Sequence, residues 1–440
     1  MNKAEIMTKK HDKKCPLAPR LRFPEFRDEW YSQALGAIAS IIKEKAGNKK
    51  CTLMSIMTGV GLISQIDKFG KEIAGNQYKN YIILRNNDFA YNKSATKDYP
   101  QGFIALYTGS EIAAVPNSIF TCFKVQQKII VPAYLNYLFL GNFHGKWLQR
   151  YITVGARAHG SLSIDDDDLL SLPIPYPKGV SSLGEQQKIA DCLSSLDERI
   201  AAETNKFDRL KDHKKGLLKQ LFPAEGETLP QLRFPEFGNS GKWQKIALSD
   251  ICDIITGYTF PECLQGKIHG LYPFCKVSDI SKAVSEHGGL LDRALNYVGD
   301  DELSILKAKP LPVGTTVFAK IGEALRLNRR AITTVECLID NNAVGIKAKS
   351  KKSTDYFLYT LSQLIDLSEY CGGAVPSVNK TVLENISVVI PTSYEQQRIA
   401  DCLSSLDELI ASQTQKIDLL KDHKKGLMQQ LFPRIDEVLA

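Results

Sequence analysis

EQQKIADCLSSLDERIAAETNKFDRLKDHKKGLLKQLFP, from Glu185 to Pro223, returns as EQQRIADCLSSLDELIASQTQKIDLLKDHKKGLMQQLFP, from Glu395 to Pro433. The offset is 210 residues, and the two copies differ at nine positions. A period of that length is far beyond a solenoid or propeller unit. It marks a duplicated block in which a domain is followed by a helix.

Each copy reads as one long helix. Ile189, Leu193, Leu196, Ile200, Phe207, Leu210, Leu217 and Leu221 recur at alternating steps of three and four, the coiled-coil period, with Glu203 and Lys214 as polar interruptions. The second copy sets Ile399, Leu403, Leu406, Ile410, Ile417, Leu420, Leu427 and Leu431 on the same seam, broken at Gln413 and Lys424. Ser182 and Thr392, each three residues before a glutamate (Glu185, Glu395), suggest capping boxes. Leu-Phe-Pro closes both helices, because proline cannot continue one. Antiparallel pairing about a pseudo-two-fold can place Glu203 opposite Lys424, Lys214 opposite Gln413, Leu210 opposite Ile417 and Ile200 opposite Leu427, which leaves no lone charge in the seam. Parallel pairing would oppose Lys214 and Lys424. The alternative is that each helix packs only on its own domain.

With 440 residues, 43% hydrophobic and 24% charged, the chain has the composition of a globular protein of two or three domains. A net charge of +7 permits a polyanionic partner without requiring one. The ten cysteines form no Cys-x-x-Cys pair or metal-ligand cluster and are expected to be free thiols in a reducing cytoplasm; Cys192 and Cys402 are repeat mates beside the seam. No apolar run approaches the length of a membrane span, and a cytoplasmic, membrane-free protein is expected.

In chain order, residues 1–20 read as a flexible basic leader. APRLRFPEF (Ala18 to Phe26) recurs as LPQLRFPEF (Leu229 to Phe237), each followed by a tryptophan, Trp30 and Trp243. The organisation expected is a first domain over 21–184, a helix over 185–222, a linker over 223–230, a second domain over 231–394, a helix over 395–432 and a tail over 433–440. Short apolar runs punctuated by turn residues predict strands at Tyr81–Leu84, Asp88–Tyr91, Phe103–Tyr107 and Ser118–Val125 in the first domain. In the second they fall at Thr315–Ala319, Ala331–Val335 and Ala343–Lys347. Helical segments lie near Pro132–Tyr151 and Ser353–Tyr370. The fold class is α+β: two mixed domains, each followed by a long helix, with the helices paired antiparallel as a coiled coil.

No Walker A loop, GxGxxG, HExxH or GxSxG is present, nor the Asn-Pro-Pro-aromatic motif of amino-methyltransferases. The run Asp165 to Asp168 reads as a solvated acidic helix start rather than a metal site, and none is expected. What stands out is polar loops. Asn92, Lys93, Ser94, Lys97, Tyr99 and Gln101 follow a strand, and Arg157 and His159 sit in a glycine-rich turn. In the second domain the candidates are Lys320, Arg326, Asn328, Arg329, Arg330, Asn342, Ser377, Asn379 and Lys380. Arg and Lys suit guanine edges, Asn and Gln suit adenine, and lysines and hydroxyls take phosphates. Read alone, such loops are more often merely solvated turns.

The repeated EQQ helices ending in KKGLLKQLFP and KKGLMQQLFP, with LRFPEF before each domain, resemble the specificity subunits of type I restriction–modification systems over nearly the whole chain. ITGYTFP (Ile255 to Pro261) and FCKVSDI (Phe274 to Ile280) resemble the opening of a target-recognition domain, and DFAYNKSATKDYPQG (Asp88 to Gly102) the same element of another class. The resemblance implies that each domain reads one half of a split, asymmetric target in double-stranded DNA, and that the helices space them and dock two methyltransferase subunits. It implies no catalysis in this chain: S-adenosylmethionine, ATP and Mg belong to the modification and restriction subunits. In the register above, the seam from Leu196 to Leu221, about 26 residues and about 39 Å long, is close to one turn of DNA. The competing readings are a coiled-coil scaffold joining two protein-binding domains and a self-contained enzyme.

Overall fold

The computed structural model describes residues 17–57, 59–152, 162–371 and 375–438. Two compact units emerge: the residues up to Ala201 together with those from Asp418 onward, and Ala202–Ile417. Each unit therefore takes the first half of one long helix and the second half of the other.

In the first unit an antiparallel sheet runs in the order Ala39–Ile41, Phe120–Val125, Asp88–Asn92, Phe103–Leu106. A second sheet is mixed, ordered Gly61–Ser64, Thr52–Met57, Ala113–Val115, Ile82–Leu84, with one parallel pair. The domain's first and last strands, Trp30–Ala34 and Pro173–Pro177, pair antiparallel and close it. The second unit repeats the plan. Its main sheet is ordered Cys252–Thr256, Ala343–Ala348, Thr316–Ala319, Ala331–Thr333, Leu290–Leu291, beside a three-stranded sheet, and Gln244–Ala247 closes against Ser387–Ile390. The strands expected from short apolar runs are present, with ends that differ by one or two residues: Asp88–Asn92 and Ala343–Ala348 are each one longer, and the others are shorter. The predicted helical segments become Pro132–Leu140 with Phe143–Leu148, and Asp355–Gln363 followed by a 3-10 turn at Leu367–Tyr370. Asp165 caps the short helix Asp166–Leu170 through the backbone of Asp168, as the acidic run implied.

The long helices span Ser182–Leu221 and Ser393–Leu431 and pack together antiparallel. Each starts in the core of its own domain: Ile189, Ala190 and Leu193 in the first, Ile399, Ala400 and Leu403 in the second. Each ends in the core of the other domain. Phe432 packs on Tyr134 with ring centroids 5.1 Å apart, and Phe222 stacks on Phe357 at 5.4 Å. Full burial of such a side chain contributes about 1.5–3 kcal/mol. The Leu-Phe-Pro stop is thus an apolar plug as well as a helix terminator, and packing on the parent domain alone does not describe these helices.

The register differs from the one read off the seam. Glu203 is bonded to Gln413, whose Nε2 donates to the Glu203 carboxylate at 2.8 Å and to its carbonyl at 2.9 Å, and Lys416 reaches the same carboxylate at 2.6 Å. Lys424 pairs with Asp197 at 2.5 Å, and its repeat mate Lys214 with Asp407, also at 2.5 Å. Placing Glu203 against Gln413 instead of Lys424 moves one helix by eleven residues, about three turns. The reason is that lysine need not be matched inside the seam: its stem lies along apolar surface while the ammonium reaches a flanking carboxylate, here on aspartates that the heptad pattern leaves out. The 26-residue seam and the half-site spacing drawn from it lapse with that register. Leu193, Leu403, Leu406, Gln413 and Ile417 are buried, while Leu196, Ile200, Phe207, Leu210, Ile410 and Leu420 are half-buried, as expected where only two helices cover one another.

The capping boxes do not form. The Glu185 carboxylate instead accepts from Arg22 Nε at 2.7 Å, Arg22 Nη2 at 2.8 Å and Trp30 Nε1 at 3.2 Å. Glu395 does the same with Arg233 at 2.7 Å twice and with Trp243 at 3.3 Å. Both glutamates are sealed from solvent. The next residue, Gln186, accepts from the Val131 amide and donates to the Ile129 carbonyl, and Gln396 donates to the Lys352 carbonyl. The repeated signature is therefore one clasp: arginine and tryptophan from the domain entrance close on the helix start, and the glutamine ties in a loop. Of the described cysteines, all unpaired, Cys263 is exposed and the others are buried or half-buried.

Candidate nucleic-acid interface

In the first unit the loop after strand Asp88–Asn92 is held from behind. Asn92 is buried, and its side chain accepts from the Ser94 amide at 3.0 Å. Tyr91 donates its hydroxyl to the Gln101 carbonyl at 2.8 Å, and the buried His144 Nε2 meets the Gly102 carbonyl at 3.2 Å. Gly102 has φ +82, and a Cβ there would lie 2.4 Å from the Asn92 carbonyl oxygen, so only glycine lets the loop close. Tyr99 is half-buried edge-on against Phe103 at 4.7 Å. This leaves Lys97 exposed, with Lys93 and Ser94 half-exposed. Asn92 is a loop-builder rather than a base reader. Arg157 and His159 lie outside the described residues.

The second unit assembles its loops from three distant stretches. Lys320 donates its amide to the Asn342 carbonyl at 2.9 Å, and its own carbonyl accepts from Val378 at 2.9 Å. Ile321 bridges to Ser377. Lys320, Asn342 and Ser377 thus stand together at one end of the main sheet. Gly257 approaches so closely that a Cβ would sit 1.9 Å from the Asp340 carbonyl oxygen. Asn379 is exposed but caps the helix Lys380–Glu384 through Val382, and Lys380 pairs with Glu384 at 3.8 Å.

Lys93 and Lys320 prove to be equivalent. The Lys93 amide donates to the Ile119 carbonyl, one residue before strand Phe120–Val125, and its carbonyl accepts from Leu162. Lys320 makes the same pair of bonds to Asn342, one residue before strand Ala343–Ala348, and to Val378. Local alignment hides this match, since only the Lys after a buried apolar strand is shared.

The basic run from Arg326 to Arg330 divides. Arg326 is exposed, 3.5 Å from Glu323, and Arg329 is half-exposed. Arg330 is buried: its guanidinium stacks over Phe318 at 4.4 Å and donates to Asn328 Oδ1 and to the Ile365 carbonyl. Burial lowers its pKa to about 10, which leaves it charged at neutral pH. Asn328, in the left-handed region at φ 50, donates its amide to the Gln363 carbonyl. Arg330 and Asn328 therefore hold the domain together and are not turned to a ligand. Burial, invisible to residue type, separates them from their neighbours. Sequence reading did not choose Asp340 as a site residue; it is buried, desolvation raises the pKa of its carboxyl group, and it accepts from the Asn342 amide.

The model of the type I restriction modification DNA specificity domain matches twice, over residues 28–212 and 240–422. The chain belongs to that family. Each match covers one domain and most of the helix that follows it. Among curated proteins, the putative type I restriction enzyme MjaX specificity subunit of Methanocaldococcus jannaschii is 28% identical over 343 residues, covering 75% of this chain and 74% of that one. The MjaIX specificity subunit of the same organism is 24% identical, covering 80% and 82%. A solved structure, the S subunit of a type I restriction–modification system from M. genitalium, is 14% identical and superposes with a TM-score of 0.58 over 94% of this chain and 99% of that one, which shows the same fold. Among the described residues of this specificity-family chain, no group of three or more His, Cys, Asp or Glu side chains is placed to hold a metal ion, and no helix is long and apolar enough to cross a membrane.

Proposed function

We propose that this chain is the non-catalytic recognition subunit of a type I restriction–modification complex, each domain reading one half of a bipartite, asymmetric target in duplex DNA. The observation that carries the reading is the equivalence of Lys93 and Lys320 at the same end of two sheets whose surrounding loops differ. A shared cation suits a phosphate, which is present at every step of DNA, and unlike neighbours suit unlike half-sites. Lys97, Ser94 and Tyr99 are the first domain's remaining candidates; Arg326, Arg329, Asn342, Ser377, Asn379 and Lys380 are the second's. Domain boundaries at 21–184 and 231–394 fit this division of labour.

In this proposal the long helices dock two methyltransferase subunits, and restriction subunits join that core in the cytoplasm. Those partners supply S-adenosylmethionine, ATP and Mg. The test is to co-express the chain with its methyltransferase subunit and map methylated adenines across the genome. One split motif with unlike halves is expected, and exchange of residues 231–394 for another family member's domain should change one half alone. An assembled complex that leaves no motif would refute the reading.

A further inference from the structure

The first unit contains an open cleft of about 1150 Å³ that begins at the loop assigned to base reading and extends beyond it. One wall is the pair of helices Pro132–Leu140 and Phe143–Leu148; the other is the last turns of the second long helix. Its floor is apolar, with Tyr137, Phe143, Met428 and Phe432, and its rim is cationic. Arg20, Lys146, Lys421, Lys425 and Arg434 line it and are exposed; Lys424 is taken by Asp197, and Arg434 lies 3.7 Å from Asp436. Among the described lining residues, Asp98 is the one carboxylate.

We infer that this cleft receives the sugar-phosphate backbone of duplex DNA where it leaves the half-site read by the first domain. The inference rests on the DNA-recognition reading above and extends it to the long helix and the segment before Leu21. Three features favour a duplex over a small anion. The volume exceeds the roughly 300–1,000 Å³ of ordinary small-molecule pockets. The cations are spread along a wall rather than converging on a point: Lys421 and Lys425 lie one turn apart on one helix face, about 6 Å along the axis. The cleft is also continuous with the candidate reading loop, since Asp98 and Tyr99 line it and Lys97 precedes them.

The helix lysines Lys421 and Lys425 recur in the first copy as Lys211 and Lys215, whereas the two arginines of the rim do not recur. Gln231 and Ala224 stand at the repeat positions of Arg20 and Arg434, while Lys219 stands at that of Gln429. For the two arginines the chain thus provides its own substitutions. Two double variants, K421Q/K425Q and R20Q/R434A, should be compared with wild type in the full chain, bound to its methyltransferase subunit. The probe is a fluorescein-labelled duplex of arbitrary sequence, titrated between about 50 and 200 mM salt. Each lost phosphate contact removes about 0.9 from the slope of log K against log salt, so each double variant should be shallower by nearly two, with an unchanged melting temperature. Salt-dependent binding in the wild type with the same slope in both variants overturns this cleft while sparing the recognition reading. No salt-dependent binding in the wild type removes both. Displacement of the duplex by micromolar inorganic triphosphate, lost in the same variants, would make the cleft a small-polyanion site and overturn the inference.

Discussion

Glu203 and Gln413 occupy the same position in the two copies of the long helix, and they hydrogen-bond to each other. Only a self-complementary arrangement lets a residue meet its own repeat mate. The two Lys–Asp pairs obey the same exchange, Lys214 with Asp407 and Lys424 with Asp197. Tyr356 donates to Asp407 and Tyr137 to Asp197, and both phenols are raised, first by burial. Gln for Glu at the centre is what makes the contact attractive, because two glutamates there would repel.

Replacing Glu203 by Ala takes the carboxylate from the buried Gln413 amide, which keeps only the carbonyl of residue 203, and from Lys416. The expected loss is about 1–3 kcal/mol, measured by chemical denaturation of the full chain. The double variant E203L/Q413L should recover most of it, because an apolar pair avoids desolvation. A full loss in the double variant as well would show that the polar layer itself stabilises the pairing.

Glu185→Ala leaves Arg22, whose side chain is only 21% exposed, without its carboxylate. A buried pair broken on one side costs about 3–5 kcal/mol. Glu395→Ala should cost as much through Arg233. Proteolysis should then begin near the start of the affected helix; equal protection in variant and wild type would contradict the clasp.

His144 is fully buried and its pKa is depressed from 6.5 to about 4 by desolvation. The unfolded chain therefore binds the proton first as pH falls, so the histidine's contribution is whole above about 6.5 and is lost between there and about 4, on the order of 3 kcal/mol. Melting temperatures at pH 7.5 and 5 should converge in His144→Phe relative to wild type.

Lys93→Glu and Lys320→Glu should each weaken duplex binding and flatten its salt dependence by about one contact or more, without a change in melting. Arg330→Ala should do the reverse, lowering stability by about 1–3 kcal/mol, because it uncovers internal acceptors rather than DNA contacts. Salt titrations with parallel melts separate the two classes.

The apolar period of Glu185–Pro223 and its copy is a local property, and it was enough to give two long helices, their stops and the duplicated plan. Short apolar runs between turn residues gave the strands for the same reason. The LRFPEF, Trp and EQQ repeats were equally visible, but not that they form one clasp, since Arg22 and Glu185 are 163 residues apart. Register was decided by tertiary structure: lysines leave the seam to reach Asp197 and Asp407, a choice that heptad counting does not contain. The candidate interface divided along the same line. Residue type nominated Lys93, Lys320, Asn342 and Ser377, and strand pairing brought the last three together. The same residue type nominated Arg330 and Asn92, which burial turned inward. Periodicity is written along the chain, whereas burial and partner choice exist only once distant segments share a core.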